Sequence, residues 1–234
     1  MNHPNIIKLH TVYRDDGKFH LVFDFINGTN LKEYLLKNGN LSMQESFILL
    51  ETLINIAKYL KEQKIIHRDI KPENIIIKDS KISKENIILV DFGLSEFVSD
   101  SYDNLRCGTP GFIAPEILRL KKYNSSLYNE KSDIFGIGIT WYYSIFGKIP
   151  YKSQNKNKIL YDNKACNFQF EENPKYEEIK EVIASFLEVN PEKRFDPSKM
   201  KPDFFFDLYS KNDYFDFDEG ENNRANTNIT LFNT

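Results

Sequence analysis

The sequence predicts an α+β domain, mainly helical, with its strands confined to two small hairpins and with a polar tail at the end. Three observations carry this prediction. Apolar residues at Phe47, Leu50, Leu53, Ile54, Ala57 and Leu60 recur at the spacing of one buried helix face. The stretch "IFGIGITWYYSIFG" (134–147) is almost wholly apolar, contains three glycines and is too short to span a bilayer, so it reads as a buried helix. The β-rich runs, at 7–13, 19–25, 75–78 and 87–90, are all short.

Taken in order, 7–13 and 19–25 form a hairpin closed by Arg14-Asp15-Asp16-Gly17-Lys18, where Gly17 supplies a positive φ. The polar break "NGTN" at 27–30 leads into a short helix near Leu31–Leu36. Ser42 stands three residues before Glu45, the pattern of a capping box, and opens the long amphipathic helix. "IIIK" (75–78) and "IILV" (87–90) flank a polar turn. Helix is expected around 112–120, over 132–147 and in "EEIKEVIASFLEV" (177–189). From Lys211 the chain is rich in Asn and Asp and poor in aliphatics, which predicts a fraying tail.

The bulk properties exclude several functions. With 234 residues, 41% of them hydrophobic, the chain can bury a sizeable core. Its 31 basic and 34 acidic residues nearly cancel, which leaves no domain-wide positive field for nucleic acid. Cys107 and Cys166 are far apart and lack metal-ligand spacing. With no secretion-like start, two such thiols fit a cytoplasmic or nuclear protein that does not engage a membrane.

The chemistry is concentrated in three segments. "HRDIKPEN" (67–74) places an acceptor, Asp69, a cation, Lys71, and a neutral oxygen ligand, Asn74, in one loop. That set suits phosphoryl transfer, in which a protein mainly positions groups and neutralises charge. A lone loop Asp or Asn is usually a turn former. Four fixed positions of H-R-D-x-x-x-x-N, however, recur by chance only about once in 10⁵ windows. "DFGLSE" (91–96) follows the strand at 87–90 and sets a carboxylate where a divalent metal could be held. "CGTPGFIAPE" (107–116) completes the order and spacing.

On these residues the chain resembles the eukaryotic protein kinases over about residues 3 to 206, and Lys71 resembles the serine/threonine type. The resemblance implies a protein-kinase-like fold with a mainly α-helical C-terminal lobe and a residual β-hairpin of the N-terminal lobe. Residues 1–29 would be that hairpin and the hinge, 30–206 the C-terminal lobe, and 207–234 an acidic, Asn-rich tail. It implies ATP and Mg²⁺ as cofactors and protein Ser/Thr hydroxyls as substrates. Asp69 would be the base, Lys71 would stabilise the γ-phosphate, and Asn74 and Asp91 would hold Mg²⁺. Phe23 would be the gatekeeper, Asp24 and Ile26 would offer backbone groups to adenine, and Ile76 would pack beneath the ring. Arg68 would reach the activation segment, Asp91 to Glu116. Thr109 would line the pocket after the phosphoacceptor and support Asp69. Glu116 would pair with Arg194, and Asp133 would anchor the catalytic loop. Glu73 resembles an acid that favours basic residues before the phosphosite, although Asn30 stands where many basophilic relatives carry a second acid. The hinge and "CGTPGFIAPEIL" are similar to calcium/calmodulin-dependent kinases.

Three departures from the pattern follow. Leu105 replaces a phosphorylatable threonine two residues before Cys107, with Ser99, Ser101 and Tyr102 nearby. Asp100 or Asp103 could instead give Arg68 a fixed negative partner. "HPNI" resembles the loop before a kinase's fourth strand, so Met1 reads as an internal methionine or misplaced start, with neither a Gly-rich loop nor an ATP-gripping lysine before it. Two functions therefore stand: a serine/threonine kinase seen without its N-terminal lobe, and a non-catalytic docking module. A small-molecule phosphotransferase fits "GTPGFIAPE" less well.

Overall fold

The computed structural model describes residues 1–98, 107–119, 129–153, 155–172, 176–200 and 204. Strands β1 (Leu9–Asp15) and β2 (Lys18–Phe23) pair antiparallel, with Asp15 opposite Lys18. The connecting turn is Asp16-Gly17 alone, both residues at positive φ, so the strands pair further toward the tip than the five-residue loop expected from sequence would allow. Two left-handed residues match the twist of the flanking strands, which is why Asp-Gly closes hairpins so often. The hairpin's root is tied to the main body. Ile7 N–H donates to Leu89 O and Leu89 N–H to Asn5 O, while the Asn5 amide donates to Ile87 O at 2.8 Å.

The expected polar break at 27–30 is instead a strand, β3 (Gly28–Asn30). It completes a three-stranded sheet in the order β3-β5-β6 with β5 (Ile75–Lys78) and β6 (Ile87–Leu89). Gly28 is required there, because a Cβ would lie 2.4 Å from Ile77 O. Asn30 both ends that strand and caps α1 (Leu31–Asn38), its side chain accepting Glu33 N–H. The capping box opens α2 (Met43–Glu62): Ser42 Oγ accepts Glu45 N–H and Glu45 reaches back to Ser42 N–H. All six residues of the predicted apolar face are buried, and so are Leu49, Thr52 and Ile56, so α2 is covered on more than one side.

Helix α4 (Lys131–Phe146) lies against α2 and α6 (Glu177–Phe186), with Trp141 between Phe47 and Phe186. Two of the glycines in its apolar stretch mark close approaches. A Cβ on Gly138 would sit 2.6 Å from Phe186 Cβ, and one on Gly136 would sit 3.1 Å from Ile70 O. Helix α3 starts later than the expected residue 112 and covers Pro115–Arg119 among the described residues. Its start is set by Pro115, which suits a first helical turn. Helix α6 stops at Phe186, short of the expected 189. Beyond β3, three further elements were not legible in the sequence. A two-residue pairing joins β4 (Ile65–Ile66) to β7 (Glu96–Phe97), and α5 spans Lys156–Ala165 behind the cap Asn155. The predicted tail, and the positions Ser99 to Leu105, fall outside the described residues.

Candidate active site

The loop after β4 is held from beneath by α4. Asp133, in the first turn of that helix, accepts His67 N–H at 2.8 Å and Arg68 N–H at 2.9 Å. This clamp places Arg68 at φ +68, a backbone state that side chains seldom adopt. Burial raises the Asp133 carboxyl to about 6, against the two N–H donors and the nearby Arg68 charge, which favour its ionised form. His67 is buried and stays neutral, its pKa lowered to about 4 by burial. Asp69 N–H donates to Nδ1, so the ring proton is on Nε2, which donates to Val90 O at 3.1 Å.

Four predicted side chains converge above this support. Thr109 Oγ1 donates to Asp69 Oδ1 at 2.7 Å. Lys71 Nζ donates to Asp69 Oδ2 at 2.6 Å and to Thr109 Oγ1 at 2.7 Å. The Asn74 amide nitrogen donates to Asp69 O at 2.9 Å and Oδ2 at 3.2 Å, which turns its carbonyl oxygen away from Asp69. Thr109 reaches across because Gly108, at φ +114, lets the segment pass over the loop; a Cβ there would be 2.9 Å from Arg68 O.

Asp91 follows β6 at φ +59, with Gly93 N–H donating to its Oδ1 at 3.1 Å. It lines a cavity of about 600 Å³ together with Ile7, Leu9, Leu21, Phe23, Val90 and Phe92. Asp24 and Ile26 line a separate pocket of about 240 Å³ with Lys78 and Ile88. The Asp24 N–H is already donated to Lys8 O, so its carbonyl is what it can offer a ligand. Ile76 is half-buried in β5, opposite Asn30 and Ile88, and is among the lining residues of neither pocket. The structure therefore brings Asp69, Lys71, Asn74 and Thr109 into contact, sets Asp91 in one cavity with Phe23, and has Asp24 and Ile26 line another.

Arg68 donates to Leu94 O and pairs with Glu96 at 3.2 Å, both within the 91–116 stretch. Glu96 is thus an acidic partner that the sequence reading missed; the β4–β7 register, which sets Ile66 opposite Glu96, is what brings it there. Glu73 is held by Lys32 at 2.8 Å, and its Oε2 is buried without a hydrogen-bond partner among the described residues. Lys32 is raised by that bond. Glu116 and Arg194 form a bidentate pair at 2.7 and 2.8 Å, deep in the fold. Arg194 also donates to Lys131 O and Glu188 O, and lies over the Phe135 ring at 5.3 Å.

Hard oxygen donors at Asn74 and Asp91 fit Mg²⁺, which is commonly bound by one or two carboxylates plus substrate phosphates and water. Among the described residues no cluster of three or more His, Cys, Asp or Glu forms a self-sufficient metal cage. A family model described as "Protein kinase domain" matches residues 1–206. The chain belongs to the protein kinase family. Among curated relatives of this kinase chain is the serine/threonine-protein kinase cds1 of Schizosaccharomyces pombe, 32% identical over 205 residues, covering 85% of this chain and 44% of that protein. Calcium-dependent protein kinase 5 of Plasmodium berghei is 35% identical over 205 residues, covering 86% and 35%. Probable serine/threonine-protein kinase 2 of Plasmodium falciparum is 31% identical over 195 residues, covering 82% and 37%. The kinase chain thus spans less than half the length of these relatives.

Proposed function

We propose that this chain carries the catalytic centre of a serine/threonine protein kinase, transferring the γ-phosphoryl group of ATP to protein hydroxyls. The observation that supports it is the mutual contact of Asp69, Lys71, Asn74 and Thr109, residues drawn from two separate segments. In this reading Asp69 orients the substrate hydroxyl and takes its proton as the oxygen bonds to phosphorus and ADP leaves. Lys71, held between Asp69 and Thr109, neutralises charge on the transferred group. The Asn74 carbonyl oxygen and the Asp91 carboxylate would hold Mg²⁺, which when bound offsets the charge of the bridging phosphate oxygens. The Phe23 side of the 600 Å³ cavity and the hinge carbonyl of Asp24 would meet the nucleotide. Cys107 and Cys166, neither in a disulfide among the described residues, suit a reducing compartment, and we propose cytoplasm or nucleus as the location.

The test is phosphorylation of a peptide by the protein in the presence of Mg²⁺ and ATP. Asp69→Asn is expected to lower the rate by about a hundredfold or more while retaining the fold. Activity unchanged in that variant would sink the assignment. A second reading, a docking module without catalysis, is favoured by the exposed apolar residues Phe19, Leu21 and Val22 of the β1–β2 hairpin. It predicts no rise in thermal stability with ATP and Mg²⁺, whereas the first predicts about 2.7 kcal/mol at a hundredfold excess over Kd.

A further inference from the structure

Helix α5 contains one fully buried polar side chain, Asn163, at a place where an apolar residue would pack without further demands. A buried amide is costly unless its groups are bonded. Both bonds that Asn163 makes go to one segment. Its Oδ1 accepts Gly111 N–H at 3.1 Å and its Nδ2 donates to Ile113 O at 2.9 Å. Gly111 is at φ +95, in an irregular stretch where no helix or strand ladder supplies these partners. The same glycine sits against Ile149 and Ile159, so close that a Cβ would come within 3.0 and 3.3 Å of them. Two residues earlier, Thr109 bonds Asp69 and Lys71. A continuous path therefore runs from α5 through Asn163 and the 109–113 backbone to the catalytic carboxylate.

We propose that Asn163 is a positioning residue for peptide substrates: it fixes the 109–113 backbone, and with it the surface a peptide meets beside Asp69. This rests on reading the chain as a protein kinase. It differs from a merely stabilising role because it predicts selectivity among ligands. Asn163→Leu keeps the size of the side chain and removes both bonds, leaving the buried Gly111 N–H and the part-buried Ile113 carbonyl unpaired. Amide exchange in the 108–114 stretch is expected to rise about tenfold, the scale of one lost buried hydrogen bond. The KM for a serine peptide should rise about tenfold with the KM for ATP within about twofold. Ile179→Val in α6 serves as the control for general loss of stability, and Asn163→Ala as the alternative if leucine does not fit. Unchanged exchange at 108–114, or both KM values shifting together as in the control, would overturn the proposal. If the unsubstituted protein phosphorylates no peptide, the kinase reading falls, and exchange alone decides whether Asn163 holds the segment.

Discussion

His67, in the 67–74 loop, and Asp133, which accepts its N–H, titrate in opposite senses, and their pairing shapes the acid response. His67 stays neutral in the fold down to about pH 4, while the unfolded chain takes up its proton near 6.5. Its contribution is complete above pH 6.5 and is lost as pH falls toward 4. Asp133 runs the other way, because the native state keeps a proton up to about 6 that the unfolded chain releases near 3.8. Stability from that source falls as pH rises from about 4 to 6. The two slopes largely cancel. Replacing His67 by Phe, which preserves the edge contact with Phe92, is expected to expose the Asp133 slope, with stability falling by up to about 3 kcal/mol between pH 4 and 6. Urea titrations across that range measure it; a flat profile in the variant would contradict the assignment. Also at this scale, Arg194→Met strands the Glu116 carboxylate in the core and should cost about 3–5 kcal/mol. Adding Glu116→Leu should recover much of that loss, read by the same denaturant titrations.

Helix α4 illustrates how an element can be set by what it must accommodate. A glycine inside a helix costs about 1 kcal/mol relative to alanine, so Gly138→Ala would stabilise an isolated α4. In the fold the added methyl meets Phe186 Cβ, and the variant should instead lose about 1–3 kcal/mol in calorimetry. The presence of α4, α2 and the paired strands β5 and β6 was legible because strong periodicity, a capping box and β-branched runs act within a few residues. Strand β3 was not, because three polar residues become a strand only by lying beside β5. Helix α5 was missed for a related reason: only Ile159 and Asn163 are buried along its length, so no apolar stripe announces it, although Asn155 is a good cap. The side chains that meet at Asp69 stood in the sequence as motif positions of "HRDIKPEN" and "CGTPGFIAPE", and the structure brings Asp69, Lys71, Asn74 and Thr109 together. Glu96, Lys32 and Asn163 were not legible, since each becomes relevant through a contact more than twenty residues away.

At the level of the whole molecule, the hairpin and the body differ in how they are held. Strands β1 and β2 expose most of their apolar side chains and, among the described residues, pair only with each other. An isolated two-stranded hairpin is marginal in water. Its amides are expected to exchange through a local opening of low free energy, whereas those of α2 and α4 exchange only with global unfolding. Hydrogen exchange followed against denaturant separates the two; equal opening energies would refute it. The Glu116–Arg194 pair has a consequence of another kind, which concerns the order of synthesis. Its partners are 78 residues apart, and chains are made at about 5–20 residues per second. For several seconds on the ribosome the segment bearing Thr109 and Glu116 exists before its arginine has been made. The surface that bears Thr109 is thus finished late in translation, and a product ending before residue 194 would carry the whole motif set with its anchor missing.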